Sequence, residues 1–134
     1  MNSIGAIFAI ATLAAACGGG TSGTSGVSSD TLVVDLDASG ETTVCDYIAS
    51  KSTAHAATCS DGSTITLDAQ TVGMCLARLD DTIANHPSCT ATVGDAESCI
   101  DAVAALTDAD LCAGNLVPAA CEQLLAAACT SPGV

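Results

Sequence analysis

Hydrophobic and polar positions divide the chain into three unlike stretches. Residues 4–16 are almost wholly apolar, residues 18–30 read GGGTSGTSGVSSD, and from Thr31 onward short apolar repeats alternate with turn residues. The Gly/Ser/Thr stretch has no periodicity and predicts a flexible coil with a root-mean-square span of about 20 Å. In residues 31–37 (TLVVDLD), Leu32, Val34 and Leu36 recur with a period of two, which predicts a short strand. Residues 63–68 (STITLD) repeat the pattern with Ile65 and Leu67 on one face, directly after the turn signal Asp61-Gly62.

The remaining apolar positions recur at helical spacing and predict about four helices. The first covers 41–57, with Val44, Cys45 and Ile48 toward the core. The second covers 69–85, with Asp68 as N-cap, an apolar stripe through Val72, Cys75, Leu76, Leu79 and Ile83, and His86-Pro87 as its stop. Asp95 is the expected N-cap of a third helix over 96–106, carrying Cys99, Ile100, Val103 and Leu106 on one stripe. Residues 107–115 read as a loop. Pro118 suits the first turn of a fourth helix over 118–129 that turns Cys121, Leu124, Leu125 and Ala128 inward and stops at Ser131-Pro132-Gly133. A weak repeat links the first half: Leu36-Asp37-Ala38 precedes Cys45 and Cys59, and Leu67-Asp68-Ala69 precedes Cys75 and Cys89. The expected architecture is a mainly α, disulfide-rich domain over 31–134 with two short strands.

The junction between the first two stretches reads Leu13-Ala14-Ala15-Ala16-Cys17-Gly18-Gly19-Gly20. A spanning helix needs about 20 apolar residues, so the run over 4–16 is too short to cross a bilayer and has the length of a signal-peptide core. A cysteine directly after small residues at the end of such a run resembles the lipobox of bacterial lipoproteins, and a CGGG-type tether with paired cysteines is similar to small cysteine-rich lipoproteins. The resemblance implies that residues 1–16 are removed, that Cys17 carries the lipid, and that residues 17–30 tether the domain to a membrane of the cell envelope, an outer membrane or cell surface.

Cysteine arithmetic agrees independently. The chain has 9 cysteines, an odd number for an exported protein. Setting Cys17 aside leaves Cys45, Cys59, Cys75, Cys89, Cys99, Cys112, Cys121 and Cys129, which are expected to form four bridges. One cysteine lies early in each helix and one at or beyond its end, so nested bridging of two helical hairpins is expected: Cys59–Cys75 inside Cys45–Cys89, and Cys112–Cys121 inside Cys99–Cys129.

Composition explains why such bridges are needed. Hydrophobic residues make up 49% of the chain but aromatics only 1%, and Tyr47 is the single aromatic after Cys17. A core of Ala with a few Leu, Val and Ile buries little area, at about 25 cal/mol per Å², against backbone entropy. Disulfides contribute roughly 2–4 kcal/mol each. The formal charge is −13, with Lys51 and Arg78 the only basic residues. That balance repels phosphate backbones and anionic lipid head groups, so nucleic-acid binding is excluded and membrane residence must come from the anchor on Cys17.

Candidate chemistry is sparse. Asp35, Asp37, Ser39 and Asp46, with Gly40 at the turn, resemble the ligand spacing of an EF-hand calcium loop, although a strand-to-helix turn uses the same residues. His55 with Cys59 and His86 with Cys89 have zinc-compatible spacing, but exported cysteines are normally oxidised, so no metal or other cofactor is expected. Asp80-Asp81 and Asp108/Asp110 are the close carboxylate pairs, and both read as solvated helix or loop positions. No nucleophile elbow, phosphate loop or redox CxxC is present. The expected function is non-catalytic: a lipid-anchored structural or interaction protein whose protein partner the sequence does not specify. A calcium-dependent adhesion module and a small enzyme or protease inhibitor are the alternatives.

Overall fold

The computed structural model describes residues 24–130. Cys17, the proposed processing site and Ser131-Pro132-Gly133 lie outside them. The described residues form a mainly helical domain: a 3-10 turn at Val33–Asp35, α1 (Ala38–Lys51), β1 (His55–Thr58), β2 (Thr64–Leu67), α2 (Val72–Asn85), α3 (Val93–Ala104), α4 (Asp108–Cys112), a second 3-10 turn at Ala119–Cys121 and α5 (Glu122–Leu125). The mainly α class with two short strands is as expected; several boundaries are not.

Capping explains most of the differences. Asp37 opens α1 by accepting the Gly40 N–H at 2.7 Å. Its counterpart in the repeat, Asp68, caps nothing. Ser52 Oγ accepts the Gln70 N–H at 2.7 Å and holds the chain outside the helix, and α2 starts later with Thr71 accepting from Met74. Asp95 is likewise not an N-cap but the third residue of α3: Thr92 and Asp95 form a reciprocal capping box. The same Thr-x-x-Asp device at Thr107 and Asp110 starts α4 inside the segment read as a loop.

The strands are also redistributed. Residues 31–37 do not form a strand; Leu32 makes one isolated antiparallel bridge with Thr92, and the chain then tightens into the 3-10 turn. Of the alternating set only Leu36 is buried; Leu32 and Val34 are half-buried, and the turn buries Val33 between them. The partner of β2 is β1, cut from what was expected to be the end of the first helix. His55 pairs with Leu67 and Thr58 with Thr64, across a turn in which Gly62 takes a φ of 84°. The Asp61 carboxylate accepts the Ser63 N–H and hydroxyl, stiffening that turn. His-Ala-Ala-Thr has little strand propensity, so tertiary pairing overrides local preference here. At the far end the expected helix over 118–129 shrinks to a 3-10 turn and one helical turn, and Leu125 and Ala128 are exposed rather than inward-facing.

All eight distal cysteines are paired, but the nested pattern is wrong. The bonds are Cys45–Cys75 between α1 and α2, Cys59–Cys112 between the hairpin and α4, Cys89–Cys129, and Cys99–Cys121 between α3 and the second 3-10 turn. Nesting assumed two self-contained helical hairpins. The β1–β2 hairpin breaks the first and carries Cys59 to α4, while the C-terminal segment folds back over α3 and the end of α2.

The core has two apolar clusters, one of Val33, Ala91, Cys89 and Cys129, the other of Leu36, Val44 and Val93. Leu79 of α2 packs against both and joins them. Small residues and disulfide sulfurs therefore take the place of aromatic side chains. Residues 24–30, expected to belong to the tether, are docked on the domain: the Gly94 N–H donates to Ser29 O at 2.9 Å. Val27 packs against the second cluster. Gly94 suits that close approach, since a Cβ there would sit 3.1 Å from the Ser29 Cβ and carbonyl oxygen and the docked segment would have to shift slightly.

Candidate functional site

Three features of the described residues carry chemistry beyond simple packing. The first is Glu97, the only charged residue among them that is buried, at 6% exposure. It lies on the inward stripe of α3 with Val93, Ala96 and Ile100. Its carboxylate accepts the Ser25 N–H at 2.8 Å and the Thr24 N–H at 3.2 Å. An acidic side chain in an apolar stripe is the sequence signal that could have located this latch: burial demands hydrogen-bond donors, and here the backbone of the incoming segment supplies them.

The second is a small cleft of about 270 Å³ bordered by Ser52, His55 and Val103. His55 Nε2 lies 2.7 Å from Asp108 Oδ1, tying β1 to the first turn of α4 next to the Cys59–Cys112 bond. The Asp108 side chain is 74% exposed, so the pair adds little stability. Ser52 Oγ, which borders the same cleft, accepts the Gln70 N–H. The pair is geometrically a cross-brace between β1 and α4.

The third is a larger open cleft of about 720 Å³, within the range of small-ligand and groove sites. α1 packs against both α2 and α3, and the cleft lies between those two helices. Ile48 of α1, Leu79 of α2, Ile100 and Val103 of α3, and Leu124 and Leu125 of the C-terminal segment are among its apolar lining residues. Its charged lining residues are Asp68, Arg78 and Asp81. Arg78 makes no ion pair among the described residues. The sequence marked each stripe as apolar but could not show that two of them face one another across a gap.

The residues singled out for metal binding are not brought together. Asp37 is occupied as a helix cap, Asp35 ends a 3-10 turn and Asp46 lies within α1. Cys59 and Cys89 are consumed in disulfides. No group of three or more His, Cys, Asp or Glu able to hold a metal occurs among the described residues. Several carboxylates instead interact with other neighbours. Glu41 on α1 has its pKa pushed above the usual carboxylate range by burial, with Asp80 and Asp37 adding to the shift. Asp110 and Asp61 are held below that range by hydrogen bonds from Thr107 and Ser63. Asp81 accepts from Asn85.

No family model matches the chain, and no curated protein or solved structure matches it significantly. No helix of the described residues is long and apolar enough to cross a membrane.

Proposed function

We propose that this is an exported, lipid-anchored protein of the cell envelope whose disulfide-knitted domain serves a non-catalytic structural or interaction role. The observation that supports the reading best is the pairing of the eight distal cysteines with one another. Four bonds in so small a chain fit an oxidising compartment. They also leave none of the eight available to Cys17, which stands after the apolar run where a lipobox-type signal would place the acylated residue. Cys17 precedes by only seven positions the residue Thr24, where Glu97 seizes the backbone of Thr24 and Ser25, so an anchor there would hold the domain close to the membrane. The acidic surface keeps the domain off anionic lipid, so the anchor holds it near the membrane without laying it flat.

Intact mass of the protein from a membrane fraction tests this reading. The expected species begins at Cys17 and carries acyl mass, and Cys17→Ser releases the protein or blocks its maturation. A chain that retains residues 1–16 with an unmodified thiol would overturn it.

A further inference from the structure

We infer that the open cleft between α2 and α3 is a docking site for a basic amphipathic helix of a partner protein. The geometry is that of a bundle short of one member. α1 contacts both neighbours, whereas α2 and α3 stand on opposite sides of the cleft and turn Leu79 and Val103 into it. The stretches that line it, 75–82 of α2 and 96–103 of α3, are each about 12 Å long at 1.5 Å per residue, so the slot takes about two turns of the occupant helix. Helix-in-groove recognition needs such an apolar slot, met by side chains at i, i+3, i+4 and i+7 of the ligand. Leu125, 53% exposed and part of the cleft lining, is the kind of apolar surface that a partner covers.

Charge selects among occupants. Two carboxylates, Asp68 and Asp81, and one guanidinium, Arg78, border the cleft, and the whole chain carries −13. A second copy of this chain brings the same charge and is repelled. Anionic amphiphiles are disfavoured for the same reason. Ring ligands such as sugars or bases stack on aromatics, and Tyr47, the only aromatic after Cys17, is not in the lining. A helix with an apolar stripe flanked by Lys or Arg satisfies both the slot and the field, and the field also speeds its approach. Arg78 is then the single unfavourable rim charge, which gives the surface a sign test in both directions.

The probe is a synthetic 14-residue Leu/Lys peptide with helical amphipathic spacing, alongside a scrambled peptide of identical composition. Both are titrated into the oxidised Cys17→Ser chain. Saturable one-to-one binding of the amphipathic peptide is expected, with the scrambled one much weaker. Asp68→Asn and Asp81→Asn should each weaken binding by about two- to five-fold, and Arg78→Gln should tighten it by a similar factor. Val103→Gln and Leu125→Gln, which leave the net charge unchanged, should weaken it by about ten-fold or more. All five positions are exposed or half-buried, and unchanged melting of each variant confirms the fold. Equal binding of the scrambled peptide, or indifference to Val103→Gln and Leu125→Gln, would overturn the proposal by reducing the effect to bulk charge. Saturable binding of dodecanoate without peptide binding would overturn it in favour of a lipid ligand.

Discussion

Removing disulfides one at a time separates two origins of stability that pull in opposite directions here. Cys59–Cys112 closes a separation of 53 residues and Cys45–Cys75 one of 30. Loop-closure entropy alone ranks the first higher, at about 4.2 against about 3.6 kcal/mol. Burial ranks them the other way. Cys45 and Cys75 are 0% and 6% exposed, whereas Cys112 is exposed and Cys59 half-buried. Replacing each pair by Ala avoids burying new hydroxyls. At Cys45–Cys75 it also deletes two buried methylene-sized groups, adding about 2 kcal/mol of lost transfer energy and cavity. The expected losses are therefore about 5–6 kcal/mol for Cys45→Ala/Cys75→Ala and about 4 kcal/mol for Cys59→Ala/Cys112→Ala. Both are large beside the roughly 5–15 kcal/mol of a typical domain. Guanidinium unfolding of the two oxidised double variants, followed by helical circular dichroism, measures the difference. If Cys59→Ala/Cys112→Ala proves equally or more destabilising, the buried bond packs no core, and the account of small residues and sulfurs standing in for aromatic side chains fails.

Two further outcomes follow from single carboxylates. Glu97→Ala removes the acceptor for the Thr24 and Ser25 amides and should cost roughly 1–3 kcal/mol. It should also abolish hydrogen-exchange protection of those two amides and open residues 24–30 to a broad-specificity protease; unchanged protection would show that Gly94 and Val27 suffice to dock the segment. Glu41 has a folded pKa raised by burial and by Asp80, so the folded state binds its proton more tightly and this contribution to stability grows as pH falls through the raised value. Glu41→Gln should accordingly raise the melting temperature at about pH 7, with the gain shrinking toward about pH 4; a gain that is constant across that range would refute the assignment.

What the chain determined locally is clear from particular residues. Apolar spacing placed Val44, Cys45 and Ile48 on one face of α1, and Cys75 and Leu79 on one face of α2, because a helix's period is fixed by its backbone geometry. Asp61-Gly62 specified a turn, since glycine enters positive φ at little cost. The shortage of aromatics, the eight paired cysteines and the acidity announced a small cross-linked domain. The Thr-x-x-Asp boxes at Thr92 and Thr107 are present in the sequence, but the apolar pattern alone points to Asp95 as the cap and to a loop over 107–115, so these two helix starts emerge only with the structure. Only the tertiary structure decided the rest. Strand identity depended on which segment lay beside residues 64–67, and proximity moved that role to His55–Thr58 against propensity. Disulfide partners depended on where the hairpin and the C-terminal segment fold back, which no spacing encodes, because a covalent bond forms between whichever sulfurs packing brings together. The cleft between α2 and α3 arises in the same way. Each helix carries its stripe in its own sequence, but whether two stripes meet or stand apart is settled by the crossings of three helices and the bonds that hold them.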